Sequence, residues 1–275
     1  MTVQGKAAVA LVLALVALAG LAPWIAPHDP NLPDFDAVLS APGAGHLFGT
    51  DPLGRDVLSR VIAASRVALT VGGVSVSASL VLGGGLGLLA GYLGGWIDVA
   101  VIAVADVMAA FPAVLLALAL AAVLGPGLVN VTLAIAVANL PIFARLARSQ
   151  TRVVRELGFV ETRRALGFGP LHILFCTIAP NILPPLITQA CLLFASSILT
   201  ESYLSFLGVG LQPPQASWGQ MLHEATGFLD QAPWLAWFPG CAITVTVFGF
   251  NLLGDVMGDG LDPRNVVTDL DAGKS

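Results

Sequence analysis

The sequence predicts an all-α integral membrane protein with six transmembrane helices. Of its 275 residues 56% are hydrophobic and 11% are charged, and its mean hydropathy is +0.87, whereas a soluble domain carries roughly 25% charged residues. A helix needs about 20 mainly apolar residues to cross a bilayer. The stretches that meet this requirement are residues 7–25, 67–92, 97–124, 128–146, 182–200 and 235–256.

The first apolar stretch is expected to remain in the protein as an anchor. Lys6 precedes it and small residues follow its apolar run, as in a secretory signal. However, the run is longer than the core of such a signal, and five further stretches follow it. We therefore predict that residues 1–66 form an uncleaved span and the loop after it.

Glycines and prolines distinguish the next three stretches. Gly83, Gly87 and Gly91 recur at every fourth position of the second one, a spacing that lets membrane helices approach closely. We expect this stripe to face a neighbouring helix, either in this chain or in a second subunit. Pro112 in the third stretch and Pro141 in the fourth are expected to kink their helices.

The basic residues predict the orientation. Loops rich in Lys and Arg stay in the cytoplasm, so the arginine-rich window 144–172 and both termini are expected inside. The loop that ends near residue 66 is then outside, with its own Arg55, Arg60 and Arg66 as a local exception. Six of the chain's 12 Lys and Arg residues lie in the window, namely Arg145, Arg148, Arg152, Arg155, Arg163 and Arg164.

The spans leave little chain for a separate soluble domain. Residues 67–258 are predicted to form the main transmembrane domain, and the loop 147–180 projects from it into the cytoplasm. Residues 259–275 form a cytoplasmic tail.

Polar side chains inside the spans are candidates for function. A charge at the centre of a span costs about 2.5–3.5 kcal/mol on insertion scales, so each needs a partner or a watery surrounding. Asp106 is the strongest candidate, and three roles stay open for it: a helix-to-helix hydrogen bond, the lining of a solute path, or a proton relay. The candidates for the path are Asp106, Asn139, Gln189 and Asn251.

The usual catalytic and metal-binding motifs do not occur in the sequence. The C-terminal Lys274 and Ser275 lack the glycine spacing of a phosphate-binding loop. His28, His46 and His172 are scattered along the chain. We therefore predict no catalytic residues, no metal site, no cofactor bound by this chain and no nucleic-acid partner.

Several motifs carry a resemblance to a known family. Residues 161–167, followed by 178–181, resemble the cytoplasmic "EAA" loop of ABC-importer permeases, although Thr162 and Arg163 replace two alanines of that pattern. Residues 46–60 resemble a signature of the dipeptide, oligopeptide and nickel permease family. Further similar segments, in the expected order, are residues 205–214, 217–219, 251–255 and 261–264.

The resemblance implies the fold of a binding-protein-dependent ABC-importer permease in a bacterial inner membrane. The chain would supply half of a translocation path and a second homologous permease subunit the other half. Two cytoplasmic ATPase subunits would bind the ATP and Mg²⁺, and an extracytoplasmic solute-binding protein would dock outside, in part on residues 202–234. The implied ATPase-coupling residues are Glu161, Arg163, Arg164, Ala165, Leu166, Gly167 and Leu171.

The solute is expected to be a dipeptide or oligopeptide. Residues 211–214 and 254–263 look more like peptide permeases than nickel permeases, and a nickel or nickel-chelate importer is the alternative. A proton-coupled secondary carrier and a polytopic membrane enzyme are less favoured, because the sequence shows neither an inverted repeat nor a convergent catalytic set.

Overall fold

The computed structural model describes residues 3–261. Within that range the secondary structure is helical, and a π-helical segment, Leu174–Ile178, joins α7 to α8. The predicted tail falls almost entirely outside the described residues. The helices are α1 Val3–Ile25, α2 Val57–Leu93, α3 Gly95–Ala109, α4 Ala113–Leu124, α5 Leu128–Arg155, α6 Gly158–Ala165, α7 Pro170–Ile173, α8 Ala179–Phe206, α9 Trp218–Ala225 and α10 Trp234–Leu261.

The spans agree with the prediction in number but not always in shape. Among the described residues, five helices are long and apolar enough to cross a membrane, and a bent pair of helices brings the total to six. That pair, α3 and α4, corrects the expected single helix over 97–124, because the two axes differ by 88°. The break lies at Pro112, which has no N–H to donate and disfavours helical geometry at Phe111.

The second span begins earlier than predicted, at Val57 instead of residue 67. Its N-cap is Asp56, whose side chain accepts a hydrogen bond from the backbone N–H of Ser59 at 2.8 Å. This is the usual way to satisfy an otherwise unpaired donor of the first turn. Arg60 and Arg66 therefore belong to α2 and not to the preceding loop, where the sequence had placed them.

The glycine stripe of α2 packs against α5 of the same chain. A Cβ on Gly83 would lie 2.6 Å from the carbonyl oxygen of Leu140, and one on Gly87 would lie 2.2 Å from that of Ala144. Such distances are too short for carbon and oxygen, so a larger residue would force the helices apart. The expectation that this stripe faces a neighbouring helix is confirmed, and the helix is within the subunit.

Prolines also shape the start of α8. Pro180 has no N–H and cannot donate to the carbonyl of Cys176, four residues earlier, as an α-helix requires. The backbone widens here, and the N–H of Ala179 bonds to the carbonyl of Leu174, five residues back. Single π turns of this kind are frequent at functional sites.

The helix termini define two ends of the bundle. At the loop end the first loop meets α9 and α10, and the indole N–H of Trp234 donates to the carbonyl of Thr50 at 3.2 Å. At the arginine end the guanidinium of Arg155 donates to the carbonyl of Gly91 at 2.9 Å, so the C-termini of α5 and α2 lie together.

Candidate functional sites at the two ends of the bundle

A short helix, α6, projects from the connection between α5 and α8 at the arginine end. Val160 is fully buried and packs α6 against the bundle. Glu161 and Arg164 are exposed, and Leu166 and Leu171 expose 71% and 70% of their surface. An isolated helix of eight residues is not stable in water, so α6 depends on the few contacts that it makes with the bundle.

Gly167 lies just beyond α6 and terminates it. Its φ is +83°, in the left-handed region where a side chain is strained. The N–H of Gly167 donates to the carbonyl of Arg164 at 3.0 Å, and that of Phe168 donates to the carbonyl of Arg163 at 3.2 Å. This pair of bonds is a Schellman motif, and it turns the chain sharply after Ala165, the last residue of the helix.

The side chain of Arg163 points back to the bundle. Its guanidinium donates to the buried hydroxyl of Thr177 at 3.1 Å and lies 5.7 Å from the ring centroid of Phe168. The Phe168 ring in turn stacks on His172 at 4.8 Å. Arg163 thus connects α6 to the π-helical segment, whereas Arg164 beside it is free to face a partner.

Arg145, Arg148 and Arg152 of the window connect α5 to α3. Arg148 and Arg152 both donate to the buried carboxylate of Asp98. Sequence reasoning missed Asp98, because it considered the arginines as a loop charge and not as residues of a helix. Their spacing of four, which puts both on one face of α5, was the available clue.

Asp106 lies on α3 and pairs with Arg145 of α5 at 2.7 Å. Both side chains are about half exposed in the isolated subunit. The helix-to-helix contact, one of the three roles left open for Asp106, is therefore present. An exposed ion pair in a membrane span is costly against lipid, so a protein partner or water must cover it.

The other three path candidates have different surroundings. Asn139 of α5 is buried, and its amide donates to the hydroxyl of Ser197 on α8 at 3.1 Å. Gln189 on α8 is half-buried, and Asn251 on α10 is exposed. Asp106 and Asn139 thus contact different helices and do not form one polar cluster.

Charged residues of the first loop form a network with α2 and α9 at the loop end. The guanidinium of Arg55 donates to Asp51 at 2.6 Å and to Glu224 at 3.1 Å. Arg60 is almost fully buried and lies 3.5 Å from both of these carboxylates. Residues 51 and 224 are brought together only by the fold, and we call these four side chains the loop-end network.

Two glycines let the first loop turn tightly around this network. Gly54 has a φ of +75°, and a Cβ there would lie 1.7 Å from the carbonyl oxygen of Asp34. Gly49 has a φ of +72°, and its Cβ would lie 2.7 Å from Nε1 of Trp234. Both glycines belong to the motif of residues 46–60, so the motif encodes a compact loop.

His28 and His46 are not scattered in space, which corrects the sequence interpretation. Their ring centroids lie 4.8 Å apart, and Nδ1 of His46 lies 3.0 Å from Oδ1 of Asp56. Burial alone would raise the pKa of Asp56, but hydrogen bonds from Ser59 and His46 outweigh it and lower the pKa. The carboxylate therefore stays ionised at neutral pH.

Comparison with known proteins identifies the family. Residues 83–267 match the model of the binding-protein-dependent transport system inner membrane component. The match covers more than half of the chain, and the chain belongs to this family of transport permeases. Members are membrane components of ABC importers, which work with an ATPase and a solute-binding protein.

Individual relatives are similar over most of the chain. It is 46% identical to the dipeptide transport system permease protein DppC of Alkalihalophilus pseudofirmus, over 82% of this chain and 74% of that protein. It is 43% identical to the probable D,D-dipeptide transport system permease protein DdpC of Escherichia coli, over 94% and 86%. It is 42% identical to the glutathione transport system permease protein GsiD of Pectobacterium atrosepticum, over 92% and 84%.

Proposed function

We propose that this chain is one of two permease subunits of a bacterial importer that takes up short peptides and that α6 transmits the work of ATP hydrolysis to the membrane helices. The observation that carries the proposal is the exposed α6, held at the arginine end of a permease bundle by a buried valine and a Schellman turn. The names of the relatives, which refer to dipeptides and glutathione, support a short peptide as solute. They give no support to nickel.

The arginine end faces the cytoplasm in this proposal. Its support is the concentration of basic residues there, which favours the inner side of the membrane. The loop end then faces outward in a bacterial inner membrane, where a solute-binding protein can dock on the first loop and on residues 202–234. With six spans both termini lie inside.

The assembly we propose contains this chain, a second homologous permease subunit and two ATPase subunits. This chain binds no cofactor in this proposal, and the ATP and Mg²⁺ belong to the ATPase subunits. A partner can shift the equilibrium between inward-facing and outward-facing states only if it binds them with different affinity. We propose that the ATPase subunit makes this difference through its contact with α6, which it binds more tightly in one of the two states.

The residues that we assign to the coupling surface are exposed on or beside α6. The apolar side chains of Leu166 and Leu171 suit a groove on the ATPase subunit, and Glu161 and Arg164 can form charge-assisted hydrogen bonds at its rim. Ala165 and Gly167 shape the turn. Arg163 belongs to this set by its position, but its contact with Thr177 supports a different task.

We assign to Arg163 the positioning of α6. A helix that moves with the ATPase must pull on a membrane span to change the state of the permease. Arg163 provides such a connection, since it bonds to the π-helical segment that continues into α8. An alanine at this place, as in the family pattern, cannot make that bond.

For the translocation path we propose the exposed positions at Asp106 on α3 and at Asn251 on α10. Asp106 and its partner Arg145 are half exposed inside the span region, and Asn251 is exposed on α10. Water in the path or the second permease subunit would remove the cost of exposing them to lipid. Gln189 is a secondary candidate, and Asn139 is better explained by its bond to Ser197.

The test is uptake and ATP hydrolysis by the reconstituted importer in liposomes, with the ATPases, the second permease and the binding protein present. Dipeptides, longer peptides and Ni²⁺ are offered in turn. We expect short peptides to stimulate hydrolysis and to accumulate in the liposomes. Stimulation by Ni²⁺ alone would overturn the proposed solute, and failure of the chain to copurify with an ATPase would overturn the coupling role.

A further inference from the structure

Three residues from separate parts of the chain meet at the loop end. His28 lies just after α1, His46 lies in the first loop, and Asp56 caps α2. One ligand atom from each lies within 4.8 Å of the others. Nδ1 of His46 is 3.0 Å from Oδ1 of Asp56, and Nδ1 of His28 is 3.7 Å from Oδ2.

Ser59 holds two of these residues in place. Its hydroxyl donates to Oδ2 of Asp56 at 2.6 Å, and its backbone N–H donates to the same oxygen at 2.8 Å. The backbone N–H of His28 donates to the Ser59 hydroxyl at 3.0 Å. The carboxylate and the His28 backbone are thereby fixed relative to each other without using Oδ1 of Asp56.

The ligand chemistry selects the class of ion. Two imidazole nitrogens and one carboxylate oxygen suit Zn²⁺ and related transition metals, whereas Ca²⁺ and Mg²⁺ prefer oxygen ligands alone. With metal–ligand distances near 2.0–2.1 Å, tetrahedral ligands lie about 3.3 Å apart. The two distances from histidine to Asp56, 3.0 and 3.7 Å, are close to this value, and all three ligand atoms lie within 4.8 Å of one another, so side-chain movements of about 1 Å would complete the site.

We propose that His28, His46 and Asp56 form a Zn²⁺-binding site on the loop end of this permease. The ion takes the place of the proton on Nδ1 of His46, while the neutral imidazole keeps one proton on Nε2, and water supplies a fourth ligand. The partial positive charge at the N-terminus of α2 repels a cation here, and the negative charge of the Asp56 carboxylate compensates for this repulsion. The ion joins the end of α1, the first loop and α2, and so stabilises the loop against movement.

Access to the site is compatible with binding from the surrounding solution. The side chains of His28 and His46 are 46% and 19% exposed, whereas Asp56 is buried. A buried carboxylate beside one exposed and one partly buried imidazole allows entry of an ion without unfolding the loop. The site depends only on this chain, and it does not depend on the proposed solute or on the ATPase contact.

The test measures Zn²⁺ binding by isothermal titration calorimetry to the full-length chain, purified without a histidine tag and placed in lipid nanodiscs. The variants are His28→Gln and His46→Gln, which keep polar side chains of similar size. The control is His223→Gln, because His223 lies on α9 at the same end but outside the cluster. Asp56 is left intact, since it also caps α2.

We expect one Zn²⁺ per chain in the wild type and in His223→Gln, and at least about a tenfold weaker affinity in each cluster variant. Zn²⁺ should also raise the thermal unfolding temperature of the wild type and of the control, because it binds the folded state. If the wild type binds no Zn²⁺, or if the cluster variants bind as the wild type does, the site does not exist. An equal loss of Zn²⁺ affinity in His223→Gln would also contradict the proposed site.

Discussion

The two ends of the bundle are built in opposite ways. At the loop end, buried charged side chains pair within the chain, as in the contacts of Arg55 with Asp51 and Glu224. At the arginine end, α6 rests on Val160 and on the bond from Arg163 to Thr177, and its other surface is exposed. The loop end is thus shaped before any partner arrives, whereas α6 has a surface that only a partner can cover.

This difference suits the two tasks proposed for them. A surface on which a solute-binding protein docks benefits from being rigid, because ordering a flexible surface upon binding would lower the affinity. A transmitting element must instead move with its partner. Elements that move are drawn from the less stable parts of a structure, with few buried contacts.

The largest effect is expected when the loop-end network loses one carboxylate. Asp51→Ala leaves the buried guanidinium groups of Arg55 and Arg60 with one carboxylate of the network, that of Glu224, and breaking a buried pair costs about 3–5 kcal/mol. We expect a lower thermal unfolding temperature in detergent. Asp36→Ala is the matched control, because Asp36 is exposed on the same loop. Equal unfolding temperatures for the two variants would show that the network is not a source of rigidity.

A methyl group on Gly54 should have the next largest effect. The backbone strain of a non-glycine residue at this φ costs about 1–3 kcal/mol, and contact with the carbonyl of Asp34 adds to it. Gly54→Ala should therefore unfold at a lower temperature than Gly45→Ala, which places its methyl group in open space. If both variants are as stable as the wild type, the first loop is more adaptable than its geometry indicates.

At the arginine end, substitution of Gly167 should disturb transport more than stability. Gly167→Val forces a β-branched residue into a left-handed conformation, at a cost of about 1–2 kcal/mol confined to the end of α6. We expect membrane insertion to persist and the number of peptides taken up per ATP hydrolysed to fall.

Gly169→Val is the control for Gly167→Val. Gly169 lies two residues further along the same turn, but its φ of −67° suits any residue. Gly169→Val should therefore take up as many peptides per ATP hydrolysed as the wild type does. A normal ratio of uptake to hydrolysis in Gly167→Val would remove the turn after α6 from the coupling mechanism.

The smallest change in stability is expected for Arg163. Loss of its bond to Thr177 costs about 0.5–1.5 kcal/mol. Hydrogen exchange of the α6 amides should become faster in Arg163→Ala but not in Arg164→Ala, whose side chain is exposed. Arg164→Ala should instead weaken association with the ATPase. Identical exchange rates in the two variants would show that Arg163 does not position α6.

The sequence predicted the features that local chemistry determines. Apolar length located the spans, and the spacing of Gly83, Gly87 and Gly91 predicted a close helix contact. Pro112 was recognised as a source of a kink, but an 88° break was not foreseen. The size of a bend depends on what the two halves pack against, which the local sequence does not contain.

The features that sequence reasoning missed depend on distant contacts. Asp98 is paired through residues about 50 positions away on α5, and Arg148 is one of them. His28 meets His46 only because the first loop folds back on α2. Arg163 was expected to face the ATPase, since nothing in the sequence shows that Thr177 lies beside it. Such juxtapositions appear only when the helices are packed.

The central claim is that α6 is the surface through which this chain contacts the ATPase, and cysteine cross-linking tests it most directly. In a chain whose Cys176, Cys191 and Cys241 are replaced by Ser, Leu166→Cys would place a thiol directly after α6. Leu207→Cys would place one at the loop end, and both side chains are exposed. We predict that the thiol at position 166 cross-links to an ATPase subunit in the assembled importer, with a yield that changes upon ATP binding, and that the thiol at position 207 does not. Cross-linking of the ATPase from position 207 and not from position 166 would contradict the claim.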